Sequence, residues 1–352
     1  MQVTESLRQL LALRLLKNMD AKTFHRGLTA FGGVEGLFRM RAKECGAKTH
    51  ADAVEKELEL VLRAGVEIVT YFDERYPALL REIFDPPILL YIKGKLPADT
   101  VICLGVVGSR EATPHGLELA TVVGRDLAAA GAAVVSGLAR GIDSAAHRGA
   151  LEAKGLTVAV MGCGLSHTYP PENKKLAEEI VEKGALVSEF PMKAGPELYH
   201  FPMRNRIISG LSRAVAVVEA REKSGALITA DFALEQGRDV YVFPGNAGSK
   251  KTLGSNDFLK QGAIPVTDAS EILRDHGLAP ASKERASARK VALSKEEDSL
   301  LCLLREAESL HVDEIVEKSR LSPQKTMTLL TTLAVKGAVK ELPGKYFAER
   351  AS

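Results

Sequence analysis

The sequence predicts an α/β protein whose core is a doubly wound, mainly parallel β-sheet. Six short runs of Val, Ile, Leu and Ala are continuous, as expected for strands that helices cover on both faces. They lie at residues 101–107, 132–135, 157–161, 186–190, 214–218 and 240–243. Helical stretches separate the runs, and this alternation is typical of βαβ units. In such sheets ligands bind in the crevice outside the carboxyl ends of the strands.

Smaller units are expected on both sides of this core, which we assign to residues 66–278. Residues 1–65 carry apolar side chains near helical spacing and predict a small all-α domain. Residues 279–292 are small, polar and basic, which is typical of a linker. Residues 293–352 begin with a capping box, Ser294 to Glu297, and continue with two more helices and two short strands. Three helices followed by a hairpin predict a winged-helix-like domain.

The amino-acid composition and net charge limit the kinds of binding site that the chain can carry. The chain has 352 residues, of which 45% are hydrophobic and 26% charged, and its formal net charge is only +2. Any site for an anion must therefore be a local patch. The four cysteines are far apart in sequence and show no CxxC spacing, so we expect no disulfide framework, metal or cofactor. No stretch of 18 uncharged apolar residues occurs, and we expect a cytoplasmic protein without a membrane span.

Glycine and a small hydroxyl residue follow several of the predicted strands. Gly108-Ser109-Arg110 comes after the first core strand, and Lys223-Ser224-Gly225 precedes a helix after the fifth. Glycine lets the backbone approach a phosphate, and the N–H groups of a helix N-terminus attract it. Arg110 and Arg140, which follows the second strand, could add bidentate contacts to phosphate oxygens. The alternative is that these glycines only turn the chain and the arginines form structural ion pairs.

The segment 201–212 carries the densest combination of charge and aromatic surface. Phe201 precedes Arg204, Asn205 and Arg206, and a stacking face beside cations suits a single nucleic-acid strand. Residues two apart on a helix point in different directions. One arginine could therefore face a groove while the other pairs with an acidic residue, either Glu189 or Glu219. Further along, Asn256 could bond to a base edge or hold a turn.

Two other classes of function stay open on these residues. One is a nucleotide-binding enzyme such as a nucleotide phosphoribohydrolase, although the strand-end loops offer neither paired carboxylates nor an activated nucleophile. The P-loop pattern is absent, and the Gly-x-Gly at Gly162 lacks the third glycine of the dinucleotide fingerprint. The other is a protein-binding adaptor that touches DNA only incidentally.

These motifs, taken in order, resemble the DNA-processing protein A (DprA/Smf) family over about residues 66–266. The matching residues are Tyr76-Pro77, Asp85-Pro86-Pro87, Gly108-Ser109-Arg110, Ser136-Gly137, Gly141-Ile142-Asp143, His147, Gly162-Cys163-Gly164, Tyr169-Pro170, Asn173, Ser188-Glu189, Phe201-Pro202, Arg204-Asn205-Arg206, Gly210-Leu211-Ser212 and Lys223-Ser224-Gly225. The resemblance implies a Rossmann-like DNA-binding core rather than an enzyme. It also implies a sterile-alpha-motif-like (SAM-like) N-terminal domain and a winged-helix C-terminal domain.

The same resemblance implies sequence-independent binding of single-stranded DNA, a homodimer formed through the core, and loading of the RecA recombinase in natural transformation. The DNA-binding residues that match the family's motifs are Gly108, Ser109, Arg110, Phe201, Arg204, Asn205, Arg206, Lys223, Ser224 and Gly225. Arg140 and Asn256 are added from their position in the strand-end loops. Apolar residues after the last core strands, among them Phe258 and Ile264, are expected at the dimer interface.

Overall fold

The computed structural model describes residues 3–15, 21–45, 47–280, 294–305, 307, 309–335, 338–342 and 344–349. The chain divides into two compact units, Met1–Ala281 and Ser282–Ser352. Most of the expected linker lies outside the described residues. The finer domain boundaries stay predictions.

The first unit alternates helices and strands along most of its length. Its helices are α1 (Glu5–Leu15), α2 (Ala21–Phe31), α3 (Val34–Cys45), α4 (Ala47–Arg63), α5 (Ala78–Arg81), α6 (Pro114–Ala129), α7 (Ile142–Glu152), α8 (Lys174–Lys183), α9 (His200–Leu211), α10 (Gly225–Glu235), α11 (Leu253–Lys260) and α12 (Ala269–Asp275). Its strands are β1 (Glu67–Thr70), β2 (Leu89–Gly94), β3 (Cys103–Val107), β4 (Ala133–Ser136), β5 (Thr157–Val160), β6 (Ala185–Ser188), β7 (Ala214–Val217), β8 (Asp239–Val242) and β9 (Ile264–Pro265).

These strands form one sheet in the order β1-β2-β6-β5-β4-β3-β7-β8-β9. The seven neighbouring strands β6-β5-β4-β3-β7-β8-β9 all run parallel to one another. In the β3–β7 pair, for example, Gly105 lies opposite Val215. At the other end β2 runs antiparallel to both β1 and β6. The six predicted runs correspond to β3–β8, so the predicted doubly wound, mainly parallel fold class is confirmed.

Helices cover the sheet on both faces. Successive strand residues point to opposite faces of the sheet, and the core strands carry apolar residues at both sets of positions. On one face Val107 and Val217 share a buried cluster with Ile207 of α9 and Ala230 of α10. On the other face Val106 packs with side chains of α6, α7 and α12. The helices that follow β3 and β7 thus lie on opposite faces, and the order of strands reverses between these two neighbours.

The N-terminal helices pack on the antiparallel end of the same sheet. Leu7 and Leu11 of α1 and Leu58 of α4 share a buried cluster with Leu89 and Tyr91 of β2. This confirms a helical region at the N-terminus and shows which strand it covers.

The second unit is a winged helix. It contains α13 (Lys295–Arg305), β10 (Leu310–His311), α14 (Val312–Ser319), α15 (Pro323–Val335), β11 (Val339–Leu342) and β12 (Tyr346–Glu349). The three strands form an antiparallel sheet in the order β10-β12-β11. At the start of α13 the Glu297 N–H donates to Ser294 Oγ at 3.2 Å, and the Ser294 N–H donates to Glu297 Oε2 at 2.7 Å. The predicted capping box is therefore present.

Neither a membrane span nor a metal-binding cluster occurs in the described ranges. No helix there has the length and apolar character needed to cross a membrane. No group of three or more His, Cys, Asp and Glu side chains there could hold a metal ion.

A neutral histidine lies inside the core. His147 on α7 is fully buried, and its Nδ1–H donates to Thr157 Oγ1 at 2.7 Å, because that hydroxyl already donates to the Val134 carbonyl. Burial, helped by the charges of Arg204 and Arg148, lowers the pKa of His147 to about 3. The unfolded chain has a histidine pKa of about 6.5. The unfolded state therefore binds a proton in this range that the folded state does not.

We predict that stability falls as the pH falls from about 6.5 towards 3, with His147 contributing up to about 1.4 kcal/mol per pH unit. Urea unfolding between pH 7 and 4 measures this slope. A His147→Gln variant lacks the titrating group, so its stability should decline less steeply with acid. Parallel profiles for the variant and the original chain would contradict the prediction.

Candidate functional site

A cavity of about 460 Å³ opens at the point where the strand order reverses, beyond the carboxyl ends of β3 and β7. Its walls come from the loop after β3, the loop after β7, and the first turns of α9 and α10. In doubly wound sheets this position is the usual place for a ligand. The cavity is therefore the candidate functional site.

The loop after β3 is tied tightly to its neighbours. A Cβ atom on Gly108 would lie 2.5 Å from Ile142 Cγ1 and 2.9 Å from the Glu219 carbonyl oxygen, so only glycine fits there. The Ser109 N–H donates to the Glu219 carbonyl at 2.6 Å, and the Ser109 carbonyl accepts from the Ile142 N–H. These bonds fix the backbone and leave the Arg110 side chain exposed at the cavity.

Arg110 lies over an aromatic ring. Its guanidinium carbon is 5.1 Å from the centre of the Phe201 ring, a favourable cation–π distance. The Phe201 ring lies against Gly162, where an added Cβ would come within 2.8 Å of it, and the Tyr169 ring is 5.5 Å away. Phe201 is half-buried and lines the cavity. A cation and an aromatic side chain thus occupy one wall.

The opposite wall is a helix N-terminus. Ser224 caps α10 by accepting from the Ala226 N–H at 3.3 Å, and Gly225 has open space around it. Lys223 is exposed, with a left-handed backbone φ of 58°. Asn205 on α9 donates to the Gly225 carbonyl at 3.0 Å and so holds the two helices together. The positive end of the α10 dipole and a lysine beside it favour an anion.

Arg204 lies on the cavity's inner wall and bonds to the ends of two strands. Its Nη1 donates to the Gly137 carbonyl at 2.6 Å and also to the Val160 carbonyl. A Cβ on Gly137 would come 2.1 Å from Nη1, which explains the glycine. Burial lowers the pKa of Arg204 to about 10. Burial has the opposite effect on an acid and raises the pKa of the Asp143 carboxyl. This carboxyl accepts from the Gly137 N–H at 3.1 Å.

Three of the predicted site residues lie away from this cavity, each with partners of its own. Arg206 is buried and pairs with Glu189 at 2.7 Å and Asp85 at 3.0 Å. Although burial opposes its charge, these carboxylates raise the pKa of the Arg206 guanidinium. This is one of the two acidic pairings that the sequence left open.

The other two are Arg140 and Asn256. Arg140 is exposed and pairs with Glu172. Asn256 accepts from the Gly245 N–H and donates to the Gly245 carbonyl, both at 3.0 Å, which is the turn-holding role left open from the sequence. The polar groups of Arg140, Arg206 and Asn256 are thus engaged outside the cavity, and we do not place these residues at the proposed site.

The structure also places residues at the cavity that the sequence did not single out. Arg221 bonds to Glu111 at 2.8 Å and so connects the loops after β7 and β3 across the opening. Arg221 and Glu222 lie in a strand-end loop, a signal that could have pointed to them. Leu198 also lines the cavity. An apolar residue in a loop carries no pattern that marks it.

Fold and cavity define a class of protein: a doubly wound α/β core with an anion-attracting crevice and a separate winged-helix unit. Residues 67–277 match the family model described as DNA recombination-mediator protein A, and residues 284–345 match the DprA winged helix domain. The chain therefore belongs to the DNA recombination-mediator protein A family, also called DprA/Smf, as the sequence resemblance predicted.

Relatives agree with this assignment. Protein Smf of Escherichia coli is 38% identical over 303 residues, which cover 84% of this chain and 80% of that protein. DNA processing protein DprA of Bacillus subtilis is 38% identical over 250 residues, 69% of this chain and 83% of that protein.

Two solved structures are also similar. The X-ray structure of DprA from Streptococcus pneumoniae is 32% identical, with a TM-score of 0.67, and the match covers 78% of this chain and 99% of that one. DNA processing protein A from Helicobacter pylori, a structure titled for its single-stranded DNA binding mode, is 28% identical, with a TM-score of 0.54. That match covers 60% of this chain and 95% of the other.

We predict that Glu189→Gln lowers the free energy of unfolding by about 3–5 kcal/mol, because it leaves the buried Arg206 charge without its main partner. Urea unfolding measures the loss. Glu172→Gln is the matched control, since its pair with Arg140 is exposed and its loss should cost at most about 1 kcal/mol. Equal stability of the Glu189 variant and the original chain would contradict a structural role for Arg206.

Proposed function

We propose that this chain binds single-stranded DNA in the cavity between the ends of β3 and β7, independently of sequence, as a recombination mediator and not as an enzyme. One observation carries the proposal: residues predicted from separate strand-end motifs converge on a single cavity. Those that line it are Gly108, Ser109, Arg110, Phe201, Arg204, Asn205, Lys223, Ser224 and Gly225. The names of the relatives support the same function.

The polar groups of the cavity suit a phosphate backbone. Exposed Arg110 and Lys223 stand on the two loops, and the N-terminus of α10 adds the positive end of the helix dipole. Phe201 offers a ring for a base, a contact of about 1–3 kcal/mol per base by alanine substitution. Stacking and phosphate contacts do not distinguish bases, so binding without sequence preference follows.

The nucleotide-hydrolase alternative has less support. Asp143, a buried carboxylate in the cavity wall, accepts from the Gly137 and Ala139 N–H groups. Glu189 is paired with Arg206. Both carboxylates are engaged in holding the fold. Turnover of nucleoside monophosphates that disappears in Asp143→Asn would restore the enzyme hypothesis.

RecA loading, dimerisation and a cytoplasmic location are parts of the same proposal. The bound strand would be delivered to RecA during natural transformation; the family description as a recombination mediator supports a role in recombination. For the homodimer, Ile264 is 37% exposed on the edge strand β9, where a second copy could pack, whereas Phe258 is buried in the protomer's own core. If light scattering at micromolar concentration gives the mass of a single chain, the dimer is contradicted.

We predict that Arg110→Glu with Lys223→Glu weakens binding of oligo-dT about tenfold or more. Fluorescence anisotropy across a salt series measures it. The plot of log affinity against log salt should become shallower by roughly 0.7 for each phosphate that the variant no longer neutralises. Lys154→Glu with Lys183→Glu makes the same change of charge at exposed positions following α7 and ending α8, at the amino edge of the sheet. This control should bind like the original chain.

Stimulation of RecA distinguishes a recombination mediator that holds DNA from a protein-binding adaptor. If the protein loads RecA by holding the strand, the Arg110/Lys223 double variant should no longer stimulate RecA filament formation on DNA that is covered with single-strand-binding protein. Filament growth followed by fluorescence gives the rate. Full stimulation by a variant that no longer binds DNA would favour the adaptor.

A further inference from the structure

Two apolar side chains stand in solvent beside the cavity. Leu198 and Tyr199, which we call the apolar rim, are 87% and 64% exposed. Leu198 lines the cavity, whereas Tyr199 immediately precedes α9 and its ring meets the His200 ring edge-on, with centres 4.5 Å apart. Large apolar groups left in water lack the stabilisation that burial would bring. Leu198 at the cavity, with Tyr199 next to it in the chain, therefore offers apolar surface for a ligand to cover.

The apolar rim is held outward by its own turn. The adjacent His200 is buried, and its ring packs on the Phe190 ring with centres 3.9 Å apart. His200 Nδ1–H donates to the Gly195 carbonyl at 3.0 Å, and the His200 N–H donates to the Glu197 carbonyl at the same distance. The turn is thus pinned at both ends. A ligand that covers the rim meets it already ordered, so binding loses less conformational entropy.

Charge decides between the possible occupants. Leu198 of the rim lines the same cavity as exposed Arg110 and Lys223. An apolar protein surface seated on Leu198 would cover these cations without neutralising them, which is costly. A nucleotide supplies both kinds of group, because its phosphate matches the cations while the flat face of its base matches the rim.

We propose that Leu198 and Tyr199 contact an unpaired base of the strand bound in the cavity and so select single-stranded over duplex DNA. The inference rests on the proposed function. In a duplex each base is stacked between its neighbours, so its face is not available to a side chain. In a single strand whose phosphates lie in the cavity, the base is free to turn onto the rim.

The test compares three fluorescent probes of equal length by anisotropy at one salt concentration: oligo-dT, a strand of abasic spacers, and a duplex. The variant is Leu198→Ser with Tyr199→Ser. It should bind oligo-dT about tenfold more weakly, with the abasic strand, the duplex and the salt slope unchanged. Leu62→Ser is the control, because Leu62 is 60% exposed on α4, away from the cavity, and this variant should match the original chain.

Three results would overturn the inference. One is undiminished oligo-dT binding by the rim variant, and another is an equal loss of affinity for the abasic strand. The third is a smaller mass in light scattering with binding intact, which would make the rim an interface between copies of the chain. The proposed function fails separately, and this inference with it, if the original chain binds none of the probes.

Discussion

The reversal of strand order between β3 and β7 is the constraint from which the cavity follows. The chain leaves β3 towards helices on one face of the sheet and leaves β7 towards α10 on the other. The two loops must therefore diverge and cannot fill the space between them. Gly108 lets the first loop pass under the Glu219 carbonyl, and Ser224 starts α10 at the opposite wall. The remaining features of the cavity occupy an opening that the topology creates.

Buried arginines on α9 hold this opening in shape. Arg204 bonds to carbonyls beyond β4 and at the end of β5, while Arg206, two residues later, pairs with Glu189 and Asp85. Breaking a buried pair costs about 3–5 kcal/mol, whereas exposed ion pairs contribute about 0–1 kcal/mol. The anchoring of α9 thus depends on the arginines that water does not reach. Among the described residues no ion pair engages exposed Arg110 or Lys223 at the cavity, whereas exposed Arg221 pairs with Glu111.

Sequence patterns predicted the core strands because residues buried on both faces leave continuous apolar runs. They missed β1, which has four residues, and β9 and β10, which have two residues each, because so short a run has no clear periodicity. Strand-end motifs led to Gly108, Arg110 and Lys223, since parallel strands bring their carboxyl ends to one edge. The sequence offered Glu189 as one of two possible partners for an arginine of this segment. It could not single out Arg206 or add Asp85, because both carboxylates approach from other elements. Exposed Leu198 carries no pattern at all.

If DNA binds in this cavity as we propose, a net charge of +2 limits how the protein attracts it. The field of the whole protein is weak, and Glu111 and Glu222 stand among the cations at the opening. Long-range steering is correspondingly small, because it depends on summed charge of one sign. In our proposal, affinity must then come from groups that act at short range: the α10 dipole, Arg110 over Phe201, and apolar surface. Because Glu111 and Glu222 at the mouth oppose a phosphate, contacts between the bases and the apolar surface must add to what Arg110 and Lys223 contribute.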